Sequence, residues 1–151
     1  MRSCMRMMGV ALIFAAFVSA QSPQKTPPAN AFDERTASRL LLQLSESLQG
    51  HSQKQFLALF DLAKMKDGAL FKQQVTSFFS HTESIRAHLN LIETSLSGEE
   101  ASISVQAEME AEPRNGGPVV RRNDRLDFAV VSEGASWKFA GLQPRGFFAL
   151  P

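Results

Sequence analysis

Residues 101–111 alternate without a break between apolar or small side chains at odd positions and polar side chains at even positions. Successive side chains of a β-strand point to opposite faces of the sheet, so the alternation predicts a strand with one buried and one solvent-exposed face. It also fixes which face of each neighbouring strand must be buried. The sheet can therefore be assembled outward from this strand.

Three further strands are predicted around it. Turn sequences at residues 97–100, 113–118 and 133–135 each contain the glycine that tight turns favour. In the strand before the first turn, the apolar positions change parity between Leu91 and Ile92. A change of parity within a strand requires one extra residue, so a β-bulge is predicted there.

Two predicted registers agree on the buried face. If Glu112 lies opposite Val119, then Ile103 lies opposite Phe128. Across the last turn, the predicted register places Phe128 opposite Phe139. Because both registers keep apolar residues on one face, the four strands are predicted to form an antiparallel meander.

Three helices are predicted before the strands. Apolar residues recur at helical spacing over residues 32–49, and again after Ser52, which opens a capping box, and after Asp67, which is expected to cap the third helix. The predicted fold class is α+β, with three N-terminal helices packed on a curved four-stranded antiparallel meander. Residues 32–151 are expected to form this single domain.

The first twenty residues have the form of a signal peptide. Arg2 and Arg6 precede an apolar run at residues 7–18, and small residues end at Ala20, where cleavage is expected. Residues 21–31 are then a flexible, proline-rich linker. An uncleaved membrane anchor is the alternative, although twelve apolar residues are too few to span a bilayer. The predicted localisation is secreted or periplasmic, with no membrane attachment after cleavage.

The composition of the mature chain narrows its chemistry. Cys4 is the only cysteine, so the chain after Ala20 has neither disulfides nor thiolate chemistry. Without Arg2 and Arg6, fourteen basic residues face fifteen acidic ones. This near-neutral balance argues against nucleic acid as a partner.

Three segments characterise this order of elements: Phe56-Leu57-Ala58-Leu59-Phe60-Asp61, the helix at residues 71–79, and Ser136-Trp137-Lys138-Phe139-Ala140-Gly141-Leu142. Together they resemble the cone-shaped nuclear transport factor 2-like superfamily, here as a secreted bacterial member. Many members place a short strand or hairpin between the second and third helices, but residues 61–67 leave no room for one. The resemblance therefore implies a reduced, four-stranded sheet, with a site at the mouth of the cone.

The superfamily includes ketosteroid isomerases, polyketide cyclases, dehydratases and non-catalytic binding or assembly domains, so the fold alone does not select a function. Steroid isomerisation on this fold uses a tyrosine hydroxyl in the oxyanion hole. The chain has twelve phenylalanines and no tyrosine, which excludes that chemistry in its familiar form.

We therefore expect a non-enzymatic domain for small-ligand binding or envelope assembly, with no cofactor. The alternative is a lyase or isomerase that acts on a small hydroxy-carbonyl or polyketide-like substrate. In that case Asp61, at the end of the second helix, is the candidate general base. An exposed aspartate at a helix end is the simpler interpretation of this residue.

Arg122 and Asp124 are the first candidates for ligand contact. Both have the parity of the buried face, and Arg122 is predicted opposite Met109 at the rim of the cone. A charged pair there suits a polar or anionic ligand, because arginine donates two parallel hydrogen bonds to a carboxylate. Phe60 and Trp137 are expected either to line the cone for an apolar ligand or simply to form part of its core. A solvated strand end is the alternative for the charged pair.

The three histidines do not form a metal site in the sequence. His88 shares the outward face of its strand, His81 follows the third helix, and His51 lies in a turn. Zinc needs three or four ligands that converge, and this spacing supplies none. We therefore predict no metal.

The outer face of the sheet is predicted to be charged and internally balanced. Glu110 is expected opposite Arg121, so the acids of one strand pair with the arginines of the next. Many proteins of this architecture form homodimers through this face. A homodimer is thus an expected assembly, although the charge of the face disfavours it.

The segment at residues 144–148, near the C-terminus, contains two adjacent phenylalanines. Phe147 and Phe148 would reduce solubility if both were exposed. We expect this segment to fold back over apolar surface.

Overall fold

The computed structural model describes residues 31–150 of the chain. The predicted signal peptide at residues 1–20, and the predicted linker apart from its last residue, lie outside these described residues. Three helices are followed by four strands and a short 3-10 helix: α1 Glu34–Gln49, α2 Gln53–Ala58, α3 Gly68–His81, β1 Thr82–Ser97, β2 Glu100–Pro113, β3 Val120–Glu133, β4 Ser136–Gln143, and the C-terminal 3-10 helix Arg145–Phe148.

The four strands form one antiparallel sheet in the order β1-β2-β3-β4. The α+β class with a four-stranded meander is therefore confirmed. Ile92 is the extra residue of a bulge in β1, at the predicted place. Ile103 lies opposite Phe128, and the predicted register between β2 and β3 holds along both strands.

The predicted register between β3 and β4 is wrong. Phe128 lies opposite Leu142 rather than Phe139. The two-residue turn begins at Gly134, which has a φ of 59°, one position later than predicted, and this slides the pairing by two residues. A bulge at Ala140 adds one more. All three paired side chains stay buried, so the buried face is the predicted one.

Of the two predicted capping residues, Ser52 caps its helix and Asp67 does not. Asp33 caps α1, and the Ser52 hydroxyl accepts a hydrogen bond from the backbone N–H of Gln55 at the start of α2. Asp67 lies at the N-cap position of α3, but its side chain makes no capping hydrogen bond there. Its carboxylate instead accepts a 2.7 Å hydrogen bond from Arg145, which ties α3 to the C-terminal segment.

Each outer strand of the sheet is contacted at one point of its free edge by a helix or by the segment after α2. Ser45 on α1 donates a 2.9 Å hydrogen bond to the carbonyl of Ala87 on β1. At β4, Phe139 forms a single parallel bridge with Phe60. The backbone N–H of Asp61 donates to the carbonyl of Phe139 at 2.8 Å. At these two positions the edge groups are already hydrogen-bonded and do not pair with another chain.

The core lies between the helices and the concave face of the sheet. The odd-numbered residues of β2 from Ala101 to Ala111 are all buried against it. Phe147 and Phe148 are 4% and 1% exposed, which confirms that the tail folds back.

Candidate functional site

Nine phenylalanine rings fill the space between the helices and the sheet. Neighbouring rings in this group have centroid separations between 4.7 and 6.5 Å, the range in which aromatic pairs attract one another. A cone packed in this way has its interior occupied by the chain itself. We call this group the phenylalanine cluster: Phe56, Phe60, Phe71, Phe78, Phe79, Phe128, Phe139, Phe147 and Phe148.

Phe60, a predicted ligand residue, is part of this cluster. Its ring contacts those of Phe56, Phe71 and Phe139 at centroid distances of 5.2, 4.9 and 5.2 Å. The side chain is 4% exposed. Phe60 therefore packs in the core between α3 and β4.

Buried polar chemistry is sparse inside the cone. Within residues 31–150, the fully buried polar residues are Ser47 and Thr82. Ser47 donates to the carbonyl of Leu44 at 2.7 Å, and Thr82 donates to that of Phe78 at 2.8 Å. Both hydroxyls are thus used by the local backbone, and neither residue titrates near neutral pH.

Arg122 lies opposite Met109, as predicted. Its guanidinium reaches the C-terminal segment and donates to three backbone carbonyls, at 2.9 Å to Gly146, at 2.6 Å to Ala149, and by a close contact to Phe147. These three oxygens lie in and just after the C-terminal 3-10 helix. The arginine therefore holds the tail in place.

The environment of this guanidinium is unusual for a charged group. Partial burial lowers the pKa of Arg122 from its ordinary value. The group nevertheless stays protonated at neutral pH, because arginine deprotonates only in strong alkali. The site thus presents a permanent positive charge to neutral oxygens.

Asp124, the predicted companion of Arg122, is exposed. It lies opposite Ala107, and its carboxylate accepts a 3.0 Å hydrogen bond from the backbone N–H of Arg125. The two candidates share a face of β3, as their parity predicts, but their side chains engage different partners.

Trp137 lies at the other end of β3. It pairs with Ser132, ten residues along the strand from Arg122, which corresponds to roughly 30 Å. Its ring packs edge-on against Phe32 at 5.0 Å, beside a cleft of about 230 Å³ that also includes Arg39 and Gln43 of α1. One small ligand cannot touch both Trp137 and Arg122. No pattern in the sequence points to Arg39 or Gln43, because that cleft forms between distant segments.

Asp61 is engaged with Lys64. Its Oδ1 accepts a 3.1 Å hydrogen bond from the Lys64 backbone N–H, and its Oδ2 lies 3.7 Å from the Lys64 Nζ. The carboxylate side chain is 14% exposed. The pKa of Lys138 is raised, first by its hydrogen bond with Glu133 and to a smaller extent by the negative charge of Asp61. Asp61 thus belongs to a charged group beside the edge of β4.

A groove of about 550 Å³ crosses the outer face of the sheet. Arg121 donates to Glu110 at 2.8 Å, and Arg86 lies 3.9 Å from the same carboxylate. The hydrogen bond from Arg121 holds the pKa of Glu110 below its ordinary value. His88 and Asn123 also line this groove, so His88 faces outward as predicted.

Residues 31–150 contain neither a candidate metal-binding cluster nor a helix able to span a membrane. No three side chains of the metal-ligating types lie together there in an arrangement that would hold an ion. No helix in this part of the chain has the length and apolar character needed to cross a bilayer.

No protein-family profile matches the sequence, and no curated protein matches it either. Solved structures do. A nuclear transport factor 2-like superfamily protein from Salmonella enterica serovar Typhimurium superimposes with a TM-score of 0.62 at 10% identity, over 72% of this chain and 86% of that one. The chain has the nuclear transport factor 2-like fold.

Two other solved structures superimpose about as well. A conserved protein from Planctomyces limnophilus gives a TM-score of 0.63 at 14% identity, over 73% of this chain and 92% of that one. A candidate scytalone dehydratase from Novosphingobium aromaticivorans gives 0.63 at 16% identity, over 72% and 79%. The superpositions establish the shared fold. At identities this low, the activity has to be argued from the site.

Proposed function

We propose that the protein is a non-enzymatic binding domain with the nuclear transport factor 2-like fold. The observation that carries this proposal is the packed interior of the cone. The phenylalanine cluster occupies it, and within residues 31–150 no titratable side chain is fully buried. General acid–base catalysis needs a titratable group within hydrogen-bonding reach of a bound substrate. Binding requires no such group.

The proposed site of action is outside the cytoplasm, in the periplasm or beyond it. The support is the sequence before residue 21, with its basic start, apolar run and small residues at the cleavage position. If the protein is exported, chains purified from the periplasm or medium begin at Gln21. Chains that still begin at Met1 in the membrane fraction contradict this part of the proposal.

The proposed partners are a small apolar or anionic ligand and, as an assembly, a second copy of the chain. Native mass spectrometry of protein from its own compartment tests both at once. A mass increment of a few hundred daltons identifies a retained ligand, and a doubled mass identifies a homodimer. A bare monomer at every concentration contradicts both partners.

A lyase or isomerase is the second candidate function. It is favoured by the candidate dehydratase among the structural neighbours and by the partial exposure of Asp61. In this mechanism Asp61 removes a proton beside a carbonyl group. The carboxylate would have to exchange its contacts with Lys64 for the substrate.

One experiment separates the two functions. The purified chain is incubated with small hydroxy-carbonyl compounds across a range of pH, and NMR follows dehydration or isomerisation. A binding domain gives the rates of buffer alone. Turnover that Asp61→Asn abolishes, while the variant stays folded, replaces the proposed function with the enzymatic one.

A further inference from the structure

The C-terminal segment, residues 144–150, enters the cone with two kinds of group. Phe148 contacts Phe56 at 5.1 Å and Phe78 at 6.5 Å, and Phe147 packs beside it at 5.1 Å. The same segment presents its backbone carbonyls to Arg122. The segment therefore places two apolar rings against the core and, beside them, backbone oxygens against the charged Arg122.

The segment is attached to the sheet without adding to its hydrogen-bond ladder. β4 pairs with β3 only from Asp127 to Glu133, so the first part of β3 has no β4 partner. The hydrogen bonds from Phe147 to Pro144 and from Ala149 to Gly146 are internal to the segment. Residues 144–150 can therefore leave as a unit while every strand pair remains intact.

Two side chains outside the phenylalanine cluster anchor the segment. Arg122 holds it from β3, and Asp67 holds it through the 2.7 Å contact with Arg145. The second anchor lies at the surface, with the side chains of Arg145 and Asp67 36% and 52% exposed. Exposed ion pairs contribute only about 0.2–1 kcal/mol.

The guanidinium of Arg122 faces oxygens that are poorer partners than the ones it favours. Its hydrogen bonds within residues 31–150 go to neutral carbonyls, while Asp124 binds the backbone of Arg125 instead. A carboxylate carries the opposite charge and accepts two parallel hydrogen bonds from a guanidinium, which a single carbonyl oxygen cannot do. An incoming carboxylate therefore has an advantage over the tail at this position.

We propose that residues 144–150 are a displaceable plug in a binding site for an aliphatic carboxylate. The carboxylate takes the place of the three carbonyls on Arg122, and the hydrocarbon chain takes the place of the rings of Phe147 and Phe148. This inference rests on the proposed binding function and deepens it by naming the ligand class.

The size of the plug sets the length of the ligand. Two phenylalanine side chains bury about 300–500 Å² together, so the ligand must supply a comparable apolar chain. Short acids such as acetate cannot compensate for losing the tail, whereas a twelve-carbon acid can. The apparent affinity for the ligand equals the intrinsic affinity multiplied by the fraction of molecules in which the plug is undocked.

The two anchors give the test opposite signs. Titration calorimetry measures binding of laurate, and of uncharged dodecanol as the matched probe, to the chain from Gln21 to Pro151. Arg145→Gln loosens the plug without touching the site, so laurate binds roughly two- to fivefold more tightly. Arg122→Gln also loosens the plug but removes the cation, so laurate binds at least fivefold more weakly, while dodecanol does not weaken. Arg121→Gln, the neighbouring arginine on the outer face, leaves laurate affinity unchanged.

Hydrogen exchange gives a readout on the unmodified chain. Laurate should increase the exchange of the backbone amides of Phe147 and Ala149 while β2 and β3 stay protected. The inference is overturned if laurate does not bind at millimolar concentration, if the two anchor variants shift its affinity in the same direction, or if it binds and leaves the tail protected. These outcomes overturn the ligand class and the plug. The proposed function is tested separately, by turnover of hydroxy-carbonyl compounds, so the two failures are distinguishable.

Discussion

A methyl group at the Cα of Gly68 would lie 2.0 Å from the carbonyl oxygen of Leu62. This close approach brings the turn between α2 and α3 against the first turn of α3. It depends on the missing side chain, because backbone cannot move aside as a flexible side chain can. Gly68 thereby determines how tightly residues 61–67 fold between the two helices.

Replacing Gly68 with alanine should destabilise the protein. The added methyl group forces the Leu62 carbonyl away from α3, and overpacking of this kind costs about 1–3 kcal/mol in the free energy of unfolding. Gly146→Ala is the matched control, since nothing lies within 4 Å of its Cβ position. Urea denaturation measures both, and equal midpoints for the two variants would contradict the close approach.

Phe60 should behave as a core residue. Phe60→Ala removes contacts with three rings of the phenylalanine cluster, and the expected loss in the free energy of unfolding is about 3–5 kcal/mol. Phe60→Leu keeps most of the volume and should lose clearly less. If Phe60 lined an open pocket, truncation would cost little, so a loss below about 1 kcal/mol for Phe60→Ala would argue for the pocket.

Asp61 should contribute to stability through an oxygen rather than through its charge. Asparagine can still accept the hydrogen bond from the Lys64 backbone N–H, whereas alanine cannot. Asp61→Ala should therefore lower the free energy of unfolding by about 0.5–2 kcal/mol, as expected for a lost cap. Asp61→Asn should stay within about 0.5 kcal/mol of the wild type. Thermal melts of the three proteins decide the matter, and equal losses for both variants would point to the charge.

Glu110 should give the outer face a dependence on pH. Its pKa is lowered from 4.5, first by the hydrogen bond from Arg121. The carboxylate therefore stabilises the folded state at pH values above its unfolded pKa, and the contribution disappears as the pH falls through the lowered folded pKa. The stability difference between wild type and Glu110→Gln should be largest near neutral pH and vanish in acid. Because these groups are exposed, high salt should also shrink it.

The pairing of β2 with β3 could be predicted because both strands alternate strictly in polarity. A shift of one residue would turn the buried face to solvent, so few registers were admissible. The bulge at Ile92 followed from the same reasoning. Between β3 and β4, alternation allowed registers that differ by two residues. The choice between them depended on which residue begins the turn at Gly134, and that is decided by backbone geometry.

The site was less predictable than the fold. Parity placed Arg122 on the correct face and opposite Met109. Its hydrogen-bond partners are backbone carbonyls more than twenty residues away, and backbone carbonyls leave no signature in a sequence. The separation of Trp137 from Arg122 was equally hidden, because both lie on the concave side and only distance along β3 divides them.

The register of the last hairpin has a consequence for changes in chain length. Since inward and outward side chains alternate on either side of the turn at Gly134, two extra residues would leave Phe139 inside and Lys138 outside. One extra residue would reverse them and bury an ammonium group. Insertions and deletions in this hairpin therefore preserve the buried face only when they change the length by an even number of residues. A change by an odd number must be absorbed by a second bulge such as the one at Ala140.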